Sequence, residues 1–367
     1  MTVGSRKELI RIPAFVDIHV HFREPGFTWK EDISSGARAA AAGGYRAVCM
    51  MPNTDPAIDS PRVLLDADTK GRRARSETGV SVFAASAMTL SQSGRELVDF
   101  DAMDAAQTMC RDITGHGVCG ISEDGRTLLD EALMERVCEA AVRLGLPVMD
   151  HAEPEAETIR RDIALAKRTG ARFHVQHVSL AESVGLIKEA KAEGVAVTCE
   201  TAPHYFALNS GAAAADRQGT NAKMNPPLGT ERDRMAVIEG LADGTIDCIA
   251  TDHAPHEAGA KALPYGEAAN GVIGLETAFP VAYTILVKSG IIKLEDLVRL
   301  MSSSPARIAG LPPSDNDYIE LDLDEEWVID PGVFCSKGRN TPFAGMSVCG
   351  RVARTVIGGR AVYVRPE

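Results

Sequence analysis

Residues Phe15–His21, which read FVDIHVH, decide the fold and point to the chemistry. Polar and apolar side chains alternate, as in a β-strand, with valine and isoleucine on one face and Asp17, His19 and His21 on the other. A strand of a parallel barrel is buried on both faces, so this row of ionisable groups costs several kcal/mol unless something binds it. Two histidines at i and i+2 point the same way, about 7 Å apart. They can therefore reach one cation.

Short apolar runs alternate with amphipathic stretches from residue 14 to about residue 256. The predicted strands are Ala14–His21, Tyr45–Met51, Val80–Met88, Val118–Glu123, Pro147–Ala152, Arg172–Val178, Ala196–Ala202 and Cys248–His253. The predicted helices between them include Asp32–Ala42, Leu128–Leu144, Glu182–Glu193 and Glu231–Ala242, with capping boxes at Ser179/Glu182 and Thr230/Asp233. Alternating strands and helices, eight strands in all, predict an α/β fold: a closed (β/α)8 TIM-type barrel at residues 14–310.

The end of the chain has a different pattern. A loop rich in Gly and Ala, residues 257–274, is followed by predicted helices near Glu276–Lys288 and Leu294–Ala309. From Tyr318 onward, short alternating segments are joined by Gly and Pro turns. We predict that residues 1–13 and 315–367 form a small β appendage.

Composition excludes several classes of protein. The 367 residues are 45% hydrophobic and 25% charged, and the charges sum to 39 − 51 = −12, which argues against nucleic acid or an anionic membrane as partner. The longest apolar stretch, Ala278–Val287, is too short to span a bilayer, and MTVGSRKELIRIP lacks the apolar core of a secretion signal. The eight cysteines include no C-x-x-C pair; Cys49, Cys199 and Cys248 lie in apolar runs and are predicted to be reduced. We expect a cytoplasmic protein.

Further metal-ligand side chains stand where other predicted strands end. His151 ends PVMDH, His177 ends RFHVQH and Asp252 ends CIATD. Because the carboxyl ends of barrel strands meet on one face, these side chains are expected to join His19 and His21 there. Nitrogen and oxygen ligands without thiolate favour zinc, with manganese, cobalt or iron as substitutes.

Four histidines are more ligands than one metal with an open position needs, so two metals and a bridging anion are favoured. No lysine that could be carboxylated occurs between Lys70 and Lys167, but the fourth strand ends S-E-D-G, which offers Glu123 or Asp124 as the bridge. Three other histidines are predicted to be structural or solvent-facing: His116, His174 and His204.

Six segments together resemble dihydroorotases of the amidohydrolase superfamily. They are DIHVHFREPG (Asp17–Gly26), MPNT (Met51–Thr54), KMNPPL (Lys223–Leu228), ATDHAPH (Ala250–His256), GLETAFP (Gly274–Pro280) and SKGRNTPF (Ser336–Phe343). The S-E-D-G turn is similar to that of the bacterial type I branch, whose bridging ligand is an aspartate, and this resemblance favours Asp124 over Glu123. Family members usually carry a longer N-terminal β segment, which implies that the appendage is incomplete here.

The resemblance also implies roles for individual residues. It assigns His19, His21, Asp124 and Asp252 to one metal, and His151, His177 and Asp124 to a second. It assigns substrate contacts to Arg23, Asn53, Asn225 and His256, with backbone groups at Asn270 and Gly271. The implied reaction interconverts N-carbamoyl-L-aspartate and L-dihydroorotate in pyrimidine biosynthesis, with one or two zinc ions and with Asp252 carrying the proton.

Two alternatives are disfavoured. Hydantoinases and allantoinases share the metal histidines, but Arg23 and Asn225 suit a substrate that bears a free carboxylate. A non-catalytic scaffold for aspartate carbamoyltransferase would have lost metal ligands, and none is missing here. We expect a homodimer, and a complex with aspartate carbamoyltransferase is a further possible assembly.

Overall fold

The computed structural model describes residues 9–215 and 220–366, whose strands form three sheets. The strands are β1 Ile10–Pro13, β2 Phe15–Val20, β3 Tyr45–Met50, β4 Ser81–Ala84, β5 Ser86–Ala87, β6 Ile121–Ser122, β7 Val148–Asp150, β8 Phe173–Val175, β9 Val197–Thr201, β10 Cys248–Ile249, β11 Tyr318–Val328, β12 Ser347–Ile357 and β13 Arg360–Val364.

Helices follow most of the parallel strands. They are α1 Ile33–Gly43, α2 Pro61–Thr78, α3 Phe100–Ala105, α4 Met109–Thr114, α5 Glu131–Leu144, α6 Glu155–Thr169, α7 Ala181–Ala192, α8 Pro203–Ala207, α9 Ser210–Ala215, α10 Glu231–Asp243, α11 Ala258–Lys261, α12 Ala278–Ala282, α13 Leu294–Met301 and α14 Ser303–Ile308. A π-helical turn, Tyr283–Val287, continues α12, and short 3-10 turns occur at Leu90–Gln92 and Pro331–Val333.

One of the two predicted capping boxes exists. Thr230 and Asp233 cap each other's backbone at the start of α10, as predicted. The box at Ser179 is wrong, because α7 begins at Ala181. The Ser179 N–H and hydroxyl instead donate to the carboxylate of Glu155, at the start of α6, which lies far from it in sequence.

The parallel strands confirm the predicted α/β barrel class. β2, β3 and β4 form one sheet, and β5 to β10 form the other in chain order. At one junction, the Cys119 N–H, just before β6, donates to the Ala84 carbonyl of β4 at 3.1 Å. At the other, Val20 bridges His253 in parallel, and the His21 N–H donates to the His253 carbonyl at 2.8 Å. The first strand and the chain after the last one therefore lie side by side.

Apolar packing divides into two clusters. The smaller one joins Val16 and Ile18 of β2 to Ala306 and Ile308 of α14. Val20 packs in the larger cluster with the surrounding helices. The prediction that the apolar side chains of this strand share one face is therefore wrong at Val20, because the pairing of β2 with β3 shifts register there.

The predicted appendage is built around a four-stranded antiparallel sheet in the order β1-β11-β12-β13. Ile10 to Pro13 pair with Leu321 to Tyr318, so an N-terminal strand closes one side of the C-terminal strands. The Thr355 hydroxyl donates to the Ala41 carbonyl at 2.7 Å and ties the sheet to α1. Residues 1–8 of the predicted appendage lie outside the described residues.

The prediction of reduced cysteines is wrong for Cys49. A disulfide joins it to Cys119, because the Cys119 N–H donates to Ala84 and so brings this residue beside β3 and β4, with the two Cα atoms 6.8 Å apart. Cys199 and Cys248 are free and buried, as predicted. Among the helices in the described part of the chain, none combines the length and the hydrophobicity needed to cross a membrane.

Candidate metal centre and substrate cleft

The two histidines of the first barrel strand face two carboxylates. His19 is fully buried and His21 is 5% exposed. His19 Nε2 lies 3.3 Å from an Asp124 oxygen, and His21 Nε2 lies 3.0 Å from an Asp252 oxygen. Asp252 follows β10, so the bridge between Val20 and His253 brings these groups together.

The histidines that follow β7 and β8 face Asp124 from the other side. His151 Nδ1 lies 2.8 Å from His177 Nε2, and the two nitrogens lie 3.4 and 3.7 Å from Asp124 Oδ1. Asp124 therefore contacts imidazoles from three strands. His19, His151 and His177 approach the same oxygen, Oδ1, while His21 lies 3.4 Å from Oδ2.

Glu123 points away from this cluster. Its carboxylate accepts the N–H groups of Met88 and Thr89 at 2.8 and 3.1 Å, and it also accepts the Thr89 hydroxyl. Consecutive side chains of an extended segment point to opposite sides. Here the Asp124 side chain points into the cluster, and the Glu123 side chain makes structural hydrogen bonds. The geometry favours Asp124 as the bridge.

The donor set fits a divalent cation. His19 Nε2 and Asp124 Oδ1 are buried and have no hydrogen-bond partner within residues 9–215 and 220–366. Burial raises the pKa of Asp252, but the hydrogen bond from His21 and the charge of His19 hold it at about 2. Burial likewise opposes ionisation of Asp124, but His19 and His21 hold its pKa well below the ordinary value. The carboxylates are therefore anionic and attract positive charge.

Each histidine from the first strand has a partner on its outer nitrogen. His19 Nδ1 lies 2.6 Å from a Glu200 oxygen, and His21 Nδ1 lies 2.8 Å from the amide oxygen of Asn53. Such partners fix the tautomer, so that the other nitrogen faces the metal position. Glu200 was missed by sequence reasoning, although a glutamate inside a buried strand is a signal that could have found it.

His151 has a partner at the mouth of the site. Its Nε2 lies 3.4 Å from a Glu153 oxygen, and the same oxygen accepts from the Asn225 amide at 2.9 Å. Sequence reasoning also missed Glu153. This contact connects the predicted substrate residue Asn225 to the metal cluster.

Three site residues adopt backbone angles that are unusual for side chains with a Cβ. Positive φ angles occur at Arg23 (56°), His177 (35°) and Asp252 (47°). Residues held in such conformations cost about 1–3 kcal/mol each and concentrate at functional sites. In each case the turn occurs just after the β-ladder ends.

The cluster opens into a cleft of about 200 Å³. Its lining includes every predicted substrate residue and every predicted ligand except the deeper His19: His21, Arg23, Asn53, Asp124, His151, His177, Asn225, Asp252, His256, Asn270 and Gly271. Gly271 has a φ of 140°, and a Cβ there would lie 2.7 Å from the Ala254 carbonyl oxygen, so the position requires glycine.

The three histidines predicted to be structural or solvent-facing make contacts in keeping with a structural role. His174 is buried between Glu200 at 3.1 Å and Thr198 at 2.9 Å. The imidazole of His204 is buried against the Tyr205 ring. His116, half-buried, lies 3.3 Å from Asp104.

Comparison with known proteins identifies the class. The Amidohydrolase family model matches residues 10–362, and the chain belongs to this family of hydrolases. Within it, the similar relatives are dihydroorotases. The dihydroorotase of Desulforapulum autotrophicum is 42% identical, with 97% of this chain and 88% of that protein covered. The dihydroorotase of Anaeromyxobacter dehalogenans is 41% identical over 96% of this chain and 86% of its own.

A solved structure supports the same fold. The L-hydantoinase (dihydropyrimidinase) from Arthrobacter aurescens superposes with a TM-score of 0.85 at 25% identity, covering 98% of this chain and 86% of its own. The resemblance predicted from the six sequence segments is thus confirmed, and the protein is a hydrolase that acts on cyclic amide bonds.

Proposed function

We propose that this protein is a zinc-dependent enzyme that interconverts N-carbamoyl-L-aspartate and L-dihydroorotate. One observation carries the proposal: a cluster of buried carboxylates and imidazoles shares one cleft with the cationic Arg23 and with neutral donors such as Asn53 and His256. Dihydroorotate has an amide bond to be cleaved and a carboxylate to be anchored, so it presents one group to each side. The names of the relatives support the same substrate.

Two zinc positions are proposed. His19, His21, Asp124 and Asp252 would hold one, and His151 and His177 would share Asp124 for the other. Bound zinc supplies polarisation of a carbonyl and a water whose pKa is lowered toward about 7. The chain itself contributes the orientation of the imidazoles, which Glu200 and Asn53 hold by their outer nitrogens.

Asp252 is proposed to move the proton. Its carboxylate lines the cleft beside the groups that would hold zinc, so it is placed to accept a proton from the attacking water. The same carboxyl then delivers the proton to the ring nitrogen that leaves. Reversal of these steps closes carbamoyl-aspartate to the ring.

The substrate carboxylate is assigned to Arg23, Asn53 and His256. The Arg23 guanidinium and the His256 imidazole are 3.3 Å apart, and both line the cleft. The Asn225 amide, which can donate and accept, is assigned to the amide edge of the ring, with the backbone at Asn270 and Gly271.

Metal analysis and one turnover assay test the proposal together. The purified protein is expected to carry one to two equivalents of zinc and to hydrolyse dihydroorotate. The absence of any divalent metal, with no activity regained on adding zinc, would contradict it. Efficient turnover of hydantoin or allantoin but not of dihydroorotate would instead support the hydantoinase alternative. The likeness to L-hydantoinase is the reason to test these substrates.

The assembly state and the location stay predictions. We expect a cytoplasmic homodimer. Light scattering on the purified protein checks the oligomeric state. A complex with aspartate carbamoyltransferase is checked by mixing the two proteins, and a scaffold without catalysis would show no turnover in either state.

A further inference from the structure

Lys30 lies beside the proposed carboxylate site, in the loop between β2 and α1. Its Nζ is 3.3 Å from His256 Nδ1, and its side chain is 19% exposed. The Phe27 ring lies 5.5 Å below the ammonium group, and Glu257 is a distant counter-ion at 3.9 Å. The ammonium group is therefore held against the imidazole.

His256 thus faces two cationic donors at once. Arg23 Nη2 lies 3.3 Å from its Nε2, while Lys30 lies at its Nδ1. Lysine and arginine can only donate, and a neutral imidazole has one accepting and one donating nitrogen. The ring can therefore accept a hydrogen bond from only one of these two side chains. At its other nitrogen, the ring N–H and the second cationic side chain are both donors. An anion placed between two such donors removes this conflict.

The position of the ring decides which nitrogen accepts. Its Nε2 lies beside Arg23 and its Cδ2 lies close to Gly271, and both of these residues line the cleft. The Nδ1 edge faces Lys30, away from Arg23. Burial and the charges of Arg23 and Lys30 lower the pKa of His256 to about 2, and a hydrogen bond with the Asn270 backbone only partly opposes this shift. The ring is therefore neutral, with one N–H to direct.

We infer that Lys30 is a positioning residue for substrate specificity: its ammonium group donates to His256 Nδ1, so that the ring proton stays on Nε2 and, with Arg23, points at one carboxylate oxygen of the substrate. This inference rests on the proposed function. It explains how a neutral histidine serves as a donor to an anion. It also assigns the cleft to cyclic amides that bear a carboxylate, rather than to uncharged ones.

Binding of orotate, a carboxylate analogue of the substrate, tests the inference by calorimetry on the zinc-loaded protein. Lys30→Met is expected to raise Kd about tenfold, the loss of one charge-assisted hydrogen bond. Lys30→Arg, which still donates a proton, is expected to restore most of the affinity. Zinc content should stay constant in both. An unchanged Kd in Lys30→Met would overturn the inference.

Lys337→Met is the matched control. Its ammonium group contacts the Thr28 carbonyl at 2.7 Å and Asp32 at 2.5 Å, so it supports the same loop, and within residues 9–215 and 220–366 it makes no hydrogen bond to His256. We expect its orotate Kd to stay within about twofold of wild type. Equal losses in Lys30→Met and Lys337→Met would mean that loop packing, and not the imidazole, controls binding.

The tautomer itself gives a readout that a packing role would not change. In 15N-labelled wild-type protein, long-range 1H–15N correlation should show His256 with its proton on Nε2, with the resonance assigned by His256→Gln. Lys30→Met should shift the population toward Nδ1–H. A wild-type protein with the proton on Nδ1 would overturn the inference even if Lys30→Met does not fold. Failure of the proposed function would appear separately, as wild-type protein without dihydroorotate turnover.

Discussion

The two sides of the cleft are incomplete in opposite ways. On the metal side, imidazole nitrogens and carboxylate oxygens face each other, and His19 Nε2 and Asp124 Oδ1 lack a donor within the described residues. On the other side, Arg23 and Lys30 both present donors to His256. One side attracts a cation and the other an anion. A bound cation would meet the first demand and could polarise an amide, and a carboxylate on the same ligand would meet the second.

The two sides also differ in how they are held. The metal side is built from strand ends, is nearly fully buried, and has buried or half-buried partners such as Glu200 and Asn53 behind its histidines. The donor side belongs to the loops after β2 and β10, and its lysine is partly exposed. Changes on the metal side should therefore remove chemistry, whereas changes on the donor side should weaken binding.

The largest effect is expected for Asp124→Ala. Loss of the carboxylate between His19 and His151 should reduce zinc content and lower turnover by about a thousandfold or more, because Lewis-acid activation is lost. Metal analysis and dihydroorotate kinetics check this. Glu123→Gln is the control, because it has a similar shape and lies outside the cluster, and it should retain zinc. Equal loss of zinc in both variants would contradict the bridge.

Asp252→Asn should give the next largest effect. It keeps the shape but removes the base, so kcat should fall at least about a hundredfold. Part of that loss can come from weaker zinc binding, so zinc content is measured on the same samples. A variant with full zinc and wild-type kcat would remove Asp252 from the proton path.

Arg23→Met should weaken substrate binding on the donor side and leave zinc binding on the metal side unchanged. Its charge-assisted contact is worth about 1.5–3 kcal/mol, so KM for dihydroorotate should rise about 10- to 100-fold, while zinc content stays unchanged. Steady-state kinetics with metal analysis measure both. If dihydroorotate kinetics were intact and hydantoin turned over well, the donor side would have been assigned to the wrong substrate.

Smaller effects are expected for glutamine variants of the two glutamates that hold the outer nitrogens of His19 and His151. Glu200 holds the outer nitrogen of His19 at 2.6 Å, and loss of such a partner weakens metal binding by about tenfold or more. Competition with a chelator measures the zinc affinity. Glu153→Gln, on the outer nitrogen of His151 but 58% exposed, should cost less because solvent screens it. A larger loss of zinc affinity in Glu153→Gln than in Glu200→Gln would show that burial does not control the strength of these contacts.

Local patterns were enough to predict much of the fold and of the candidate site. The alternation of strands and helices predicted the parallel sheets, and ligand residues at strand ends predicted which side chains would meet. Both follow from near-neighbour chemistry: a strand has a period of two, and parallel strands bring their carboxyl ends to one edge. The capping box at Thr230 and Asp233 is of the same kind, because both partners lie within one turn.

Contacts between distant segments could not be predicted in this way. The Ser179 groups bind Glu155, and Cys49 joins Cys119, although neither pair has a local sequence signal. The register shift that separates Val20 from Val16 arises between neighbouring strands and not within one.

By itself, the sequence determined the fold class, the family and the ligand types at the strand ends, because these depend on periodicity and on residues that stand close in the chain. Only the tertiary structure decided which nitrogen of each histidine faces the cluster, and that Glu200, Glu153 and Lys30 are the partners behind them. A tautomer depends on what lies on both sides of a ring, and groups such as Glu200 and Lys30 come from segments far apart in the chain. The identity of the ligands was therefore local information, while their orientation was set by packing.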